Sequence, residues 1–471
     1  MAKDLRTFLR QLEEAGEIVN IKKEVDPKTN LAGIAWQGEN KLGKATFFEN
    51  LKGYPGWKAV SYAEASRKRL ALAVGTTPRE FIPTMNELLK KGPTKKQLVE
   101  TGPVKEIIKT GDEVNLYELP IHVMSNLDAG PYMGGAMAII KDPETGIQNV
   151  SLHRHQLKGK NKLGVLMHPG RHMDMIYKKY EERNEPMPIA LVIGHHAIYY
   201  LTCCWTFPFG VDEFEMAGTF LGEPVRTVKC ETVDLEVPAD AEIIIEGYVP
   251  PFEREEEGPF AEHTGYARAG AGKNPYIIVT AITRRKDAIY YALQGGKPIA
   301  SSQILDGLPM EVVIYNRVKD VGGFVDVKDV VAIPCAGGSH IIVVQITPKI
   351  QGEAKDVALA ALSSPYIHPK IAIVVDDDID PHDEKELIWS LSTRVNPERD
   401  VFIIPGTHGH HLDASLPLIT PDFVHPQIRR GSKMGIDATK PPLTEPDARD
   451  HFTRSHAMGA DKFDINDFID K

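Results

Sequence analysis

The apolar positions change their period twice along the chain. At the start, Leu5, Phe8, Leu9 and Leu12 fall at i, i+3, i+4 and i+7, which predicts a helix over residues 4–15, capped by Asp4 and ended by Gly16. A strand is expected over 18–21 and helices over 78–92 and 94–100, with the turn-rich stretch Asn50-Leu51-Lys52-Gly53-Tyr54-Pro55-Gly56 between them. Residues 1–112 therefore read as a small N-terminal α/β domain. Short apolar runs then take over, with strands expected over 137–141, 148–157, 163–167, 189–193, 197–201, 225–230, 241–247, 276–284 and 288–293. Asp142-Pro143-Glu144-Thr145-Gly146 is a hairpin turn between the first two. Only 171–183 and 213–221 carry a helical pattern here, so 113–305 reads as a barrel-like sheet.

From about residue 306 the rhythm becomes alternating. Helices over 309–317, 354–362 and 384–393 are interleaved with strands over 324–327, 330–333, 341–346, 371–375 and 401–404. That spacing implies a mainly parallel sheet covered by helices, in a C-terminal α/β domain spanning 306–471. Residues 415–471, rich in Pro, Asp and His, are expected to form an extended tail that docks on another subunit, with a short helix near its end. The fold class is thus α/β, in the α+β sense, with three domains.

Composition changes the picture little. A chain of 471 residues with 42% hydrophobic and 25% charged content has the make-up of ordinary soluble globular proteins. A net charge of −10 argues against nucleic acid or an anionic membrane as partner. No apolar run approaches a membrane span, and Met1-Ala2-Lys3-Asp4-Leu5 lacks a signal core. Cys203, Cys204, Cys230 and Cys335 form no C-x-x-C pair, so neither a disulfide framework nor a zinc knuckle is expected, and a cytoplasmic home fits.

The chemistry is concentrated in Glu255-Glu256-Glu257-Gly258-Pro259-Phe260-Ala261-Glu262-His263. Crowded carboxylates raise one another's pKa, which lets an acid keep its proton near neutral pH, and Gly-Pro argues against a helix there. Arg154, in Asn149-Val150-Ser151-Leu152-His153-Arg154, is a candidate clamp for a carboxylate. Strict alternation puts Asn149 and Arg154 on opposite faces unless the strand bends, with His153 and His155 pointing away from Arg154. His172 opens a helix, a natural phosphate or metal position, and Glu213 opens the next. Asn149, His172 and Glu213 together suit Mn²⁺ or Mg²⁺ better than structural Zn²⁺. Gly295-Gly296-Lys297-Pro298 and Gly337-Gly338-Ser339-His340 are glycine turns of a kind that can cradle phosphate. Thr407-His408-Gly409-His410-His411 reads as a loop first and a metal site second, and Asp376-Asp377-Asp378 as a solvated turn. A metal-dependent hydrolase using Glu262 as base, and a non-catalytic assembly protein, remain open on these residues alone.

Taken in order, Asn149…Arg154, His172, Glu213 and Glu257-Gly258-Pro259-Phe260-Ala261-Glu262 resemble the UbiD family of decarboxylases, which depend on prenylated flavin mononucleotide (prenylated FMN). The resemblance spans nearly the whole chain. It implies a split-barrel flavin domain in the middle and a C-terminal oligomerisation domain. It further implies that Asn149, His172 and Glu213 hold Mn²⁺ against the cofactor phosphate. Asn149, Val150, Ser151, Leu152, His153, Arg154, Arg171, His172 and Glu213 would line the cofactor site, with Lys370 as the phosphate-binding lysine. A K⁺ ion is implied near residues 202–205. Glu262 would be the proton donor, with Arg154 and Glu257 completing the acid–base network. Residues 405–415 are similar to a segment of hydroxybenzoate-type members, which favours an aromatic or heteroaromatic acid, with or without ring hydroxyls. Furan, pyrrole, acrylic and polyprenylated hydroxybenzoate acids are the alternatives within the family. A separate flavin prenyltransferase supplying the cofactor, and a homo-oligomer (dimer or hexamer), are implied as partners.

Overall fold

The structure, a computed structural model, describes residues 3–266, 271–296, 299–323, 325–410, 412–416, 429–460 and 462–469. At the N-terminus the expected helix is present as Leu5–Glu14, with Asp4 and Thr7 in a reciprocal cap and Leu5, Phe8 and Leu12 buried. The strand Ile18–Ile21 pairs parallel with Ala45–Phe48, which pairs antiparallel with Lys58–Ser61. The fourth strand of this sheet is Ile289–Tyr291, parallel to Lys58–Ser61. Its apolar run suggested a barrel strand, but the residues return to complete the N-terminal sheet instead. Helices Leu31–Leu42, Arg67–Val74 and Phe81–Leu89 pack on this sheet and its surroundings. Residues 94–100 are not helical: Gln97–Leu98 adds a short parallel strand beside Arg226–Lys229.

The middle of the chain forms a closed antiparallel barrel of six strands. Around it run Ile243–Val249, Met187–Ile193, Tyr132–Lys141, Gln148–Gly159, Lys162–Val165 and Tyr276–Arg284, and the last pairs with the first. Closure pairs each of these six strands on both sides, and Ile107–Thr110 adds a seventh, antiparallel to Tyr276–Arg284. The segment expected as a strand over 197–201 is the helix Ala197–Cys203. Every residue of it is buried, so its sequence carries no amphipathic period to betray the helix.

One irregularity in the barrel matters for function. Between Tyr132–Lys141 and Gln148–Gly159 the register jumps from Met133↔His155 to Ala136↔His153, so Gly134 and Gly135 together oppose Arg154. This is a bulge, which bends the strand and re-aims side chains. A Cβ on Gly135 would sit 3.0 Å from both the Leu293 Cβ and the Tyr291 carbonyl, so the close approach needs glycine. The bend breaks the strict alternation expected along residues 149–154.

The long helix Ser301–Lys319 leads into the C-terminal domain and starts eight residues before, and ends two residues after, the span its periodicity suggested. The five-stranded sheet beyond it has the order Val327–Ala332, Ile341–Ile346, Ile371–Asp376, Arg429–Ala438, Val401–Gly409. The three central strands are parallel and both outer strands antiparallel, so the sheet is mixed rather than mainly parallel. Arg429–Ala438 lies inside what was expected to be tail. Residue 324, at the start of one expected strand, falls outside the described residues, and the strand begins at Val327. A continuous apolar core runs from Leu5 to Val374 through all three segments. Among the described residues no helix is long and apolar enough to cross a membrane.

Candidate active site

A cavity of about 320 Å³ opens between the barrel, the helix Ser301–Lys319 and the C-terminal sheet. Asn149, Val150, Ser151, Leu152, His153 and Arg154 all line it, together with Arg171, His172, Glu213 and Glu262. His153, expected to face away, lines the cavity on the same face as Asn149 and Ser151, and bonds Ser151 Oγ (2.8 Å) and the Leu166 carbonyl (3.0 Å). His155 does point away, into the fully buried interior.

Arg154 links the two halves of the acidic stretch. Its Nε and Nη2 donate to Glu257 Oε1 (3.1 Å) and Oε2 (2.7 Å) in a bidentate fork, and Nη1 donates to Glu262. The Phe260 ring covers the guanidinium at 4.8 Å. Glu257 also accepts from the Tyr132 hydroxyl (2.9 Å) and from Asn274 Nδ2 (3.2 Å). Each oxygen of that carboxylate thus holds two donors, which fix its position and orientation. Among the described residues the Glu262 carboxyl receives the Arg154 bond alone. Burial raises its pKa, Arg154 draws it back, and Glu257 pushes it up again, leaving it above the ordinary carboxyl range. Two neighbouring acids are thereby separated in role by environment. Glu255 and Glu256 take no part: Glu255 pairs with Lys162 at the surface (2.6 Å) and Glu256 is exposed.

Sequence patterns gave no sign of Tyr132, Asn274 or Asp128. Asp128 accepts from the backbone N–H of Ala261 (2.8 Å) and of Ser125 (2.9 Å), and so anchors the loop that carries Glu262. None of the three belongs to a local motif, because each comes from a distant segment.

The expected metal set is assembled in part. Glu213 Oε1 accepts from Asn149 Nδ2 (2.8 Å) and Oε2 from the Val150 N–H (2.6 Å). Burial pushes the Glu213 carboxyl up to about 8. His172 opens the helix His172–Arg183 with its ring edge-on to Phe209, and burial lowers its pKa, so the imidazole is neutral. Asn149 Oδ1 is buried with no hydrogen-bond partner among the described residues. An orphaned amide oxygen, a neutral imidazole and a desolvated carboxyl are the donor set a divalent cation needs, and the residues fit one.

Lys370 is placed apart from this cavity. Its Nζ pairs with Asp413 (2.9 Å) and Ser415 Oγ (2.6 Å) in a small adjoining pocket that shares His368 and His410 with the main one. The turn Gly337-Gly338 packs on the helix: a Cβ on Gly338 would lie 2.4 Å from the Gln303 Cβ, which leaves no room for a phosphate. Gly295 lines the main cavity, whereas Lys297, Pro298 and His411 lie outside the described residues. The expected loop at 407–410 is mostly strand, since Val401–Gly409 is continuous, and His410 beyond it reaches the cavity. Asp377 and Asp378 form the expected turn, with Asp377 exposed, whereas Asp376 is a buried strand end. Arg449, Lys440, Arg394 and Arg454 surround them in ion pairs.

Comparison with known proteins bears on the fold and the family. Three family models cover the chain in succession: the N-terminal domain (residues 9–89), the Rift-related domain (96–298) and the C-terminal domain (303–438) of 3-octaprenyl-4-hydroxybenzoate carboxy-lyase. The UbiD-class enzyme HmfF from Pelotomaculum thermopropionicum, solved in complex with FMN, is 35% identical over 99% of this chain and 100% of its own, with a TM-score of 0.90. Apo 3,4-dihydroxybenzoic acid decarboxylase (AroY) from Klebsiella pneumoniae is 30% identical over 99% of both chains, with a TM-score of 0.87. Vanillic acid decarboxylase from Sedimentibacter hydroxybenzoicus, in its open form, is 30% identical over 98% of this chain and 97% of its own, with a TM-score of 0.84. The fold, the barrel and the length of the match agree, and the chain belongs to the UbiD family of carboxy-lyases.

Proposed function

We propose that the chain catalyses the reversible, non-oxidative decarboxylation of an aromatic or heteroaromatic carboxylic acid with prenylated FMN in this cavity. The observation that carries the proposal is the division of labour around Arg154, between a Glu257 saturated by four donors and a Glu262 held by one. Bound there, prenylated FMN would supply an electron sink for the pair left behind when CO₂ departs. Asn149, His172 and Glu213 would hold Mn²⁺ beside its phosphate, and the cavity-lining stretch Cys203-Cys204-Trp205 lies in the region implied for K⁺.

The chain's own residues do the rest. Three of the five N–H donors of Arg154 are engaged, leaving two to orient a substrate carboxylate and offset its charge. Glu257 keeps the guanidinium in place through the two-bond fork. Glu262, with its raised pKa, carries the proton delivered to the ring carbon once CO₂ has left, and takes it back in the reverse direction. Phe260, Leu152, Leu293 and Leu412 wall the cavity and exclude water. The cofactor comes from a separate flavin prenyltransferase, and the protein works in the cytoplasm as a homo-oligomer, a dimer or a hexamer.

The test combines a visible spectrum with one substitution. The chain made alongside a flavin prenyltransferase should carry bound flavin and release CO₂ from aromatic acids. Glu262→Gln should lose turnover by at least about 10³-fold while keeping its flavin. A colourless but active metalloprotein, or full activity in Glu262→Gln, would refute the assignment.

A further inference from the structure

Residues 122–131, which lead into the barrel strand Tyr132–Lys141, take no part in this mechanism, yet they grip the loop that carries Glu262. The near end of this strap is fixed. Val123 N–H donates to the Pro27 carbonyl (3.2 Å), and the His122 carbonyl accepts from Tyr132 N–H (3.0 Å). Met124 lines the cavity and packs on the bulge, where a Cβ on Gly134 would sit 3.2 Å from its thioether. The strap then closes a tight turn whose tip, Asn126 and Leu127, is exposed. Asp128 N–H donates to the Ser125 carbonyl (3.2 Å), and Asp128 Oδ2 accepts from Ser125 N–H (2.9 Å).

Two bonds cross from this turn to the acidic loop. Asp128 Oδ1 accepts from Ala261 N–H (2.8 Å), and Ala129 N–H donates to the Pro259 carbonyl (2.9 Å). They straddle Phe260, whose ring covers the Arg154 guanidinium. The loop is also tied at Gly258 by Gln156 (3.3 Å), at Pro259 by the Tyr132 hydroxyl (3.5 Å) and beyond Glu262 by Gln303 on the His263 carbonyl. Asp128 differs from these ties in using both oxygens, one on its own turn and one on the loop. It therefore fixes the direction of the peptide just ahead of Glu262 as well as its position. Loss of CO₂ leaves an electron pair that is quenched either by the Glu262 proton, giving product, or by returning CO₂, giving back the acid; Glu262 is then reprotonated from water. Which fate wins depends on where that carboxyl stands when CO₂ departs.

We propose that Asp128 is a positioning residue for proton delivery: through Ala261 it sets how far the Glu262 carboxyl reaches over the cavity, and without it CO₂ still leaves but the proton arrives late. This rests on the decarboxylase reading and deepens it.

The experiment uses cofactor-loaded protein, the best aromatic acid from a panel, and isotopically labelled CO₂ in solution. Two rates are read: net formation of product, and exchange of label into the recovered acid. Asp128→Ala should cut kcat about 10²-fold, as expected for a reacting group misplaced by about 1 Å, with KM little changed and flavin retained. The ratio of exchange to net turnover should rise about tenfold or more, because the electron pair waits longer for its proton and returns to CO₂ more often. Asp128→Asn keeps an acceptor for Ala261 but turns an amide towards Ser125 N–H. It should fall between wild type and Asp128→Ala in both readouts, and it decides the matter should the alanine variant fail to fold. An unchanged exchange ratio in these variants, loss of flavin together with kcat, or wild-type kcat in Asp128→Ala overturns the inference while leaving the decarboxylase standing. Neither turnover nor exchange on any acid by loaded wild type overturns both.

Discussion

At the scale of residues, one guanidinium holds two carboxylates in unlike surroundings, and the pH response follows from the one that burial raises, Glu262. Because the folded pKa of Glu262 is raised, its proton persists to higher pH than an ordinary carboxyl allows. Turnover in the decarboxylating direction should therefore fall on the alkaline side, as Glu262 ionises. Glu257→Gln removes one upward push on that pKa and leaves Arg154 to pull it down, so the alkaline limb should move to lower pH. A pH profile of kcat checks the direction, and an unmoved or upward-shifted limb would separate Glu257 from the proton donor. Much of this arrangement was legible in the sequence, since Arg154, Glu257 and Glu262 sit in compact motifs of unusual chemistry. The donors that saturate Glu257 were not, because Tyr132 and Asn274 are brought in by barrel strand and hairpin from 125 and 17 residues away. The facing of His153 was misjudged because it was set against Arg154 alone, whereas it shares a face with Asn149 and Ser151.

At the scale of elements, the end of the strand Ile371–Asp376 acts as a clamp on the segment that follows the last sheet strand. Asp378 accepts from Arg394 (2.9 and 2.8 Å) and Arg454 (3.2 Å), while Asp376 accepts from Arg449 (2.9 and 2.6 Å). Burial alone would raise the Asp378 pKa; Arg394, Lys440 and Arg454 more than reverse it, to about 2. A depressed carboxylate stabilises the fold above its unfolded pKa near 4, and that contribution is lost as pH falls towards 2. The side chain is partly exposed, so screening holds the effect to about 1 kcal/mol. Asp378→Asn should lower the melting temperature at pH 7, and its deficit against wild type should shrink by pH 3. Thermal melts at the two pH values decide this. The acid run reads as a solvated turn because its cations lie 16 to 76 residues downstream. Periodicity found the amphipathic helices, such as Leu5–Glu14, and failed on Ala197–Cys203, where burial on every side erases the pattern.

At the scale of the whole molecule, a run of short apolar segments with no regular helix between them was enough to give a barrel-like sheet in the middle of the chain, because buried faces must repeat with the period of their element. What it did not give was long-range pairing: the strand Arg429–Ala438 inserts between Ile371–Asp376 and Val401–Gly409, and no local signal marks that. The last described residues leave apolar side chains in the open, with Phe463 68% and Phe468 72% exposed. Shortening the chain after residue 456 should preserve the fold and reduce the number of subunits per particle, as light scattering would show. An unchanged mass would remove the tail from the assembly interface. The return of Ile289–Tyr291 to the first sheet has a consequence during synthesis. Ser61 waits for the carbonyl of Ala292, 231 positions later, to receive its hydroxyl (2.6 Å). At ribosomal speeds that wait is on the order of 10–50 s, during which the emerging chain carries an unfinished sheet edge. The first domain to leave the ribosome is thus among the last to be completed, and its exposed edge is where a holding chaperone would be needed most.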